Sequence, residues 1–254
     1  MSLDTALEVG RLYAPIKQIA DMLSQAQVDT FVQLPGLRGY WPMSAVNSSG
    51  AAVDLGNASV NLLRQGSPLF SYDGNAYIQL GVANDYLSTS LSDLNITGTE
   101  AWIDPSIRGL TIGGWFWVDD ATVDPRGLIS KFGASPQYGF SLTWTEVNQP
   151  RLMISGNGTT VVLVEYSVRL VSTWYFIVGR FTPSTEVAIF VNDDKVINTT
   201  TIPASINVST QSFEVGRYFN NNDNIVEGRA RDVFVCTAAL PDSLIEKIRE
   251  ASAP

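Results

Sequence analysis

Gly109-Leu-Thr-Ile-Gly-Gly-Trp-Phe-Trp-Val118 decides how the rest of the chain is read. Its residues are β-branched, aromatic or glycine, with no charge and no helix period, so it is a strand of the kind that lies inside a sheet. Successive side chains of a strand point to opposite faces, so Trp115 and Trp117 share one face and Phe116 takes the other. Large indoles suit the space between two sheets, which predicts Trp115 inward, together with Trp41 and Trp174, and Phe116 outward.

Strand-like stretches recur on both sides of this segment, at 38–42, 76–80, 84–88, 127–132, 138–145, 150–155, 160–165, 173–181, 186–191, 195–199, 212–217 and 228–237. Turn residues separate them, among them Asp73-Gly74, Gly133, Asn157-Gly158, Pro183-Ser184 and Asn192-Asp193-Asp194. Many short strands joined by tight turns predict an antiparallel sandwich. In Glu186-Val-Ala-Ile-Phe-Val-Asn192, Val187, Ile189 and Val191 alternate with Ala188 and Phe190, so both faces of that strand are apolar and both need cover.

Helical periodicity is confined to the ends. Val9, Leu12, Ile16, Ile19, Leu23 and Ala26 recur at gaps of three and four, and Pro15 must kink or restart that helix. A water-exposed seam of this kind costs about 1.5–3 kcal/mol per large side chain, so a partner surface is expected, either the chain's own sandwich or another molecule. Pro35-Gly36 closes the segment. Leu240, Leu244, Ile245 and Ile248 predict a second helix over 240–252, with Pro241 and Asp242 suited to its first turn. The expected organisation is a helical assembly segment over 1–36, a sandwich over 37–240 and a carboxy-terminal helix over 241–254.

Composition narrows function. The 254 residues include no histidine, which excludes Ser-His-Asp catalysis and removes the commonest transition-metal ligand. A formal charge of −9 opposes nucleic-acid binding. No stretch is long and apolar enough for a membrane-spanning helix. The start, Met-Ser-Leu-Asp, lacks the basic and apolar regions of a secretory signal. The single cysteine, Cys236, is expected to be an inert core thiol.

Taken in order, Gly39-Tyr-Trp-Pro-Met43, Asn84-Asp-Tyr-Leu87, Gly109 to Val118, Leu128-Ile-Ser-Lys-Phe132, Tyr138-Gly-Phe-Ser-Leu142, Thr173-Trp-Tyr-Phe-Ile-Val-Gly-Arg-Phe181, Val187-Ala-Ile-Phe-Val-Asn192 and Phe213-Glu-Val-Gly-Arg217 resemble the laminin-G-like branch of the concanavalin A-like lectin/glucanase superfamily. The resemblance implies an all-β, two-sheet antiparallel jelly-roll sandwich. It also implies three classes of function. Calcium-dependent carbohydrate-binding or adhesion modules of this family hold the ion with Asp and carbonyl oxygens. Here Asp85 matches, but the expected second acid falls at Arg231, with Asp232 one step along on the other face. Glycoside hydrolases need paired carboxylates about 5–5.5 Å apart for retention, and Glu100, Asp104, Asp119-Asp120, Glu146 and Glu165 form no such run. The layout of helical leader plus sandwich is similar to structural proteins of tailed-phage virions, such as decoration, spike or fibre modules. On that reading the chain is non-catalytic and has no resident cofactor. Its sandwich faces outward toward a surface glycan. The seam of Val9, Leu12, Ile16, Ile19 and Leu23 joins it to further copies, a trimer suiting a spike, or to other virion proteins.

Overall fold

The computed structural model describes residues 27–44, 46–57, 60–72, 76–80, 85–89, 109–119, 126–168, 172–218 and 227–253. The seam residues Val9 to Leu23 lie outside them. Helical residues 27–32 (α1) precede fifteen strands: β1 (Leu37–Trp41), β2 (Leu63–Gln65), β3 (Leu69–Tyr72), β4 (Ala76–Leu80), β5 (Tyr86–Thr89), β6 (Leu110–Val118), β7 (Arg126–Lys131), β8 (Phe140–Trp144), β9 (Pro150–Ile154), β10 (Val162–Glu165), β11 (Trp174–Thr182), β12 (Glu186–Val191), β13 (Asp194–Asn198), β14 (Phe213–Val215) and β15 (Gly228–Cys236). A final helix, α2, covers Asp242–Ser252. The two strands that the sequence pattern did not reveal, β2 and β3, are short edge strands on either side of Pro68, where periodicity has too few residues to register.

The strands form two antiparallel sheets. One is eight-stranded in the order β13-β12-β11-β6-β15-β4-β3, with β1 also paired to β15; the other is seven-stranded, β10-β9-β8-β7-β14-β5-β2. Tight turns set the hairpins. Asn192 takes a positive φ of 52° to close β12 onto β13, and its side-chain oxygen accepts the Phe176 amide hydrogen at 3.0 Å. Between the sheets lies the main core, built from residues such as Trp41, Ile78, Phe116, Leu128, Leu142, Trp144, Leu152, Ile177, Phe181, Ile189, Phe213 and Val233.

A second apolar layer covers the outer face of the eight-stranded sheet. Phe31, Leu34, Leu37, Tyr40, Trp115, Phe176, Val178, Ala188, Phe190, Phe234, Ile245 and Ile248 belong to it. The alternation in β12 is thereby explained: Val187, Ile189 and Val191 meet the inter-sheet core, while Ala188 and Phe190 meet the helical layer. The same arrangement corrects the expected sense of β6. Phe116 points between the sheets, and Trp115 and Trp174 lie on the outer side, because that face has its own apolar cover and can house an indole as readily as the main core.

Polar groups pin the two helices to this face. Arg231, fully buried, lies 5.4 Å from the ring centres of both Trp115 and Trp174 and donates to the Ser252 carbonyl at 2.6 Å, placing a cation at the C-terminal end of α2. The Trp115 indole donates to the Ser252 hydroxyl at 2.9 Å. At the other end of α2, Arg180 donates to the Leu240 carbonyl at 2.8 Å and to Asp242 and Glu186. Burial raises the Asp242 carboxyl, but hydrogen bonds and charge from Arg180 and Lys195 outweigh it and hold the group below its ordinary value.

Asp232 secures the amino-terminal side. It sits in a β-bulge of β15 with φ of 50°, and its carboxylate accepts from the Tyr40 hydroxyl at 2.9 Å and from the Gln27 amide at 2.7 Å. Gly114 makes room for the bulge, since a β-carbon there would meet the Arg231 carbonyl oxygen at 3.0 Å. Phe31 then stacks on Tyr40 with centroids 4.0 Å apart.

Burial pushes the Asp232 carboxyl up to about 7, against opposing effects from Arg231, Tyr40 and Gln27. The folded chain therefore holds a proton that the unfolded chain releases above its ordinary value of 3.8. Stability from this group falls as pH rises from about 4 to about 7, by up to about 4 kcal/mol, and is level above that window. Asp232→Asn keeps the acceptor and tolerates the positive φ. Its melting temperature is expected to rise relative to wild type as pH goes from 5 to 8, and a pH-independent difference would refute this.

Candidate functional site

Among the described residues the helical layer does not cover the whole outer face of the eight-stranded sheet. Beyond its rim, strand register places five outward side chains in one row. Leu69 of β3 pairs with Gln79 of β4, Gln79 with Arg229 of β15, Arg229 with Trp117 of β6, and Trp117 with Trp174 of β11. At about 4.8 Å per strand the row spans about 19 Å across the sheet. Leu69 and Gln79 are exposed, and Arg229, Trp117 and Trp174 are partly exposed.

The aromatic and cationic members have a structural reason to stay in place. The Trp117 and Trp174 rings meet edge to face with centroids 6.2 Å apart, and Trp174 meets Tyr77 in the same way at 6.0 Å. The Arg229 guanidinium lies 5.0 Å from the ring centres of both Tyr77 and Trp117. The Trp117 indole donates to Asp119 at 3.1 Å. The next row inward, Arg231, Trp115 and Phe176, is buried and forms a floor. The result is a half-exposed strip with an aliphatic end, an amide, a cation and two indoles in fixed order. Such a strip can stack apolar ring faces and pair with polar substituents; it contains no nucleophile and base in contact.

Sequence reasoning singled out other residues. Asp85 is buried just before β5, and its carboxylate accepts the Ser67 amide hydrogen at 2.6 Å across the β2–β3 turn. Asp232, the acid one step from the expected position, belongs to the other sheet and faces Tyr40 and Gln27, so the two carboxylates have separate partners. Among the described residues no group of three or more Asp, Glu, Cys or His could hold a metal ion. Glu165 pairs with Arg151 at 2.8 Å, and Glu100, Asp104 and Asp120 lie outside the described residues. Cys236 is buried, and burial raises its thiol above the ordinary value.

Replacing Asp85 with Ala leaves the Ser67 amide without its acceptor, which is expected to lower stability by about 1.5–3 kcal/mol. Denaturant melts with and without millimolar Ca²⁺ check this. The loss should be the same in both, whereas a calcium-induced stabilisation of wild type that Asp85→Ala abolishes would make Asp85 a calcium ligand.

Among the described residues no helix is long and apolar enough to cross a membrane. No curated protein sequence matches the chain. Solved structures share its fold. The binding domain of Paraclostridial Mosquitocidal Protein 1 is 14% identical with a TM-score of 0.64, over 84% of this chain and 51% of that one. The binding domain of Botulinum neurotoxin DC, solved in complex with rat synaptotagmin II, is 12% identical with a TM-score of 0.64, over 85% and 52%. A third structure, a receptor binding domain, is 12% identical with a TM-score of 0.68, over 90% and 53%. This chain thus spans about half the length of each. Residues 73–246 match the laminin-G-type model described as Concanavalin A-like lectin/glucanases superfamily, and with most of the sandwich inside that match the chain belongs to this superfamily.

Proposed function

We propose that this chain is a non-catalytic, lectin-like binding module that recognises glycan through the outer-face row Leu69, Gln79, Arg229, Trp117 and Trp174. The observation that carries the reading is the register of that row. Two half-exposed indoles in line with polar groups match the alternation of apolar ring faces and hydroxyls along a saccharide, and burying part of an indole against a sugar face releases water from apolar surface. Solved binding domains with the same sandwich support a binding role over a catalytic one.

In its biological setting we propose a structural component of a tailed-phage virion, as a decoration, spike or fibre module, with residues 1–36 for assembly and the sandwich exposed. The periodic seam of Val9, Leu12, Ile16, Ile19 and Leu23 supports this, because a stripe of that length needs cover. A calcium-dependent adhesion module is the second reading, resting on Asp85 alone.

Two measurements test the proposal. On a glycan array followed by calorimetry, Trp117→Ala and Trp174→Ala should each weaken binding about tenfold or more while keeping cooperative melting; unaltered affinity in both would exclude the row as the site. Light scattering on the intact chain and on Ile16→Asp/Ile19→Asp should show an oligomer that dissociates to a folded monomer. An unchanged mass with a large loss of stability would refute the assembly role.

A further inference from the structure

We infer that the row takes a neutral saccharide whose ring hydroxyls donate to the Asp119 carboxylate, and that acidic sugars are turned away, an inference that rests on the glycan reading just proposed. The selecting side chain stands at the end of β6, beside the aromatic part of the row.

Asp119 follows Trp117 by two residues, so its side chain leaves the sheet on the same side as the indole. Its Oδ1 accepts from the Trp117 indole at 3.1 Å, which holds the carboxylate against the edge of the ring. That bond occupies one of about four acceptor sites on the two carboxylate oxygens, and Asp119 is exposed. The remaining sites accept and cannot donate, so they call for a ligand that supplies hydroxyl hydrogens. A carboxylate ordered in advance by its indole contact also has less side-chain freedom to lose on binding.

Charge at this end of the row works against an acid. The Asp119 backbone amide donates to the Glu227 carbonyl at 3.0 Å, which sets the two residues across from each other at the ends of β6 and β15. The Glu227 side chain is 59% exposed, and its 3.9 Å separation from the Arg126 guanidinium exceeds the roughly 2.7–2.9 Å of a charge-assisted hydrogen bond. Two carboxylates therefore border the indoles, on a chain with a formal charge of −9. Arg229, the cation of the row, is engaged within the protein: its guanidinium lies 5.0 Å from the Tyr77 and Trp117 ring centres and has a further contact, so its part is to hold the two rings. Recognition then falls to Trp117 and Trp174 for ring faces and to Asp119 for hydroxyls, while Gln79, exposed on the far side of Arg229, pairs with a hydroxyl of a neighbouring sugar. A carboxylate on the sugar brings no donor at its position and meets like charge.

An array of neutral oligosaccharides, each paired with an acidic counterpart, tests this on the full chain, with calorimetry on every pair that binds. The pairs include β-1,4-linked glucose and glucuronate hexamers, mannose and mannuronate hexamers, and lactosamine without and with sialic acid. In each bound pair the wild type is expected to favour the neutral member about tenfold or more, a gap that added salt narrows. Asp119→Asn keeps an oxygen for the Trp117 indole and removes the charge. It should weaken neutral-sugar binding about tenfold and narrow the gap, with tryptophan fluorescence and melting temperature near wild type. An acidic member bound as tightly as its neutral partner, or neutral-sugar affinity unaltered in Asp119→Asn, overturns this inference and leaves the glycan reading intact. Absence of binding to every member of the array removes both.

Discussion

The eight-stranded sheet is apolar on both faces, and most of the architecture follows from the need to cover them. One face meets the seven-stranded sheet through Phe116, Ile177, Ile189 and Val233; the other meets α1 and α2 through Trp115, Phe176, Phe190 and Phe234. A two-sheet sandwich alone would leave the second set in water, at about 1.5–3 kcal/mol per large side chain. The helical segments at the two ends of the described chain are therefore a third layer of the fold. Their anchoring groups are the buried cations Arg180 and Arg231 and the buried acid Asp232, whose hydrogen bonds reach the ends of α2 or side chains of the helical layer. Buried charges of this kind make a weak case for net stability but specify where each helix sits.

That third layer also creates the candidate site by ending where it does. Trp115 and Trp117 share a face of β6, yet Trp115 is buried and donates to Ser252 of α2 while Trp117 is partly exposed. The strip at the rim inherits rigidity from the buried row beside it. Aromatic side chains held edge to face lose little freedom on binding, which favours a recognition surface over an adaptable one.

The bulge at Asp232 links the two regions. It shifts the pairing of β15 with β6 between Arg231 and Phe234, so Arg229 and Arg231 fall opposite Trp117 and Trp115 while Phe234 falls opposite Gly113. Without the extra residue, the side chains after position 232 would change faces, and Val233, Phe234 and Val235 would exchange their places between the main core and the helical layer. A single left-handed residue thus keeps an arginine row and an apolar row on one strand.

The strands other than β2 and β3, their antiparallel sandwich class and the carboxy-terminal helix were legible in the sequence because they depend on local periodicity and turn chemistry, which neighbouring residues carry. Even the two-sided burial of β12 could be read from Glu186 to Asn192. The sense of the faces could not. Parity placed Trp115 and Trp117 together, but which side of the sheet lay inside depended on a helical cover contributed by residues more than a hundred positions away. The candidate row is further from reach, since Leu69, Gln79, Arg229, Trp117 and Trp174 become neighbours only through four separate strand pairings. Asp85 and Asp232 drew attention as acids at suggestive positions, and tertiary contacts gave each a partner elsewhere, an amide for one and a phenol and an amide for the other. Local pattern determines what kind of element a segment forms, because backbone sterics act between neighbours; long-range register determines which side chains meet, because hydrogen-bonded pairing is settled only when the sheets close.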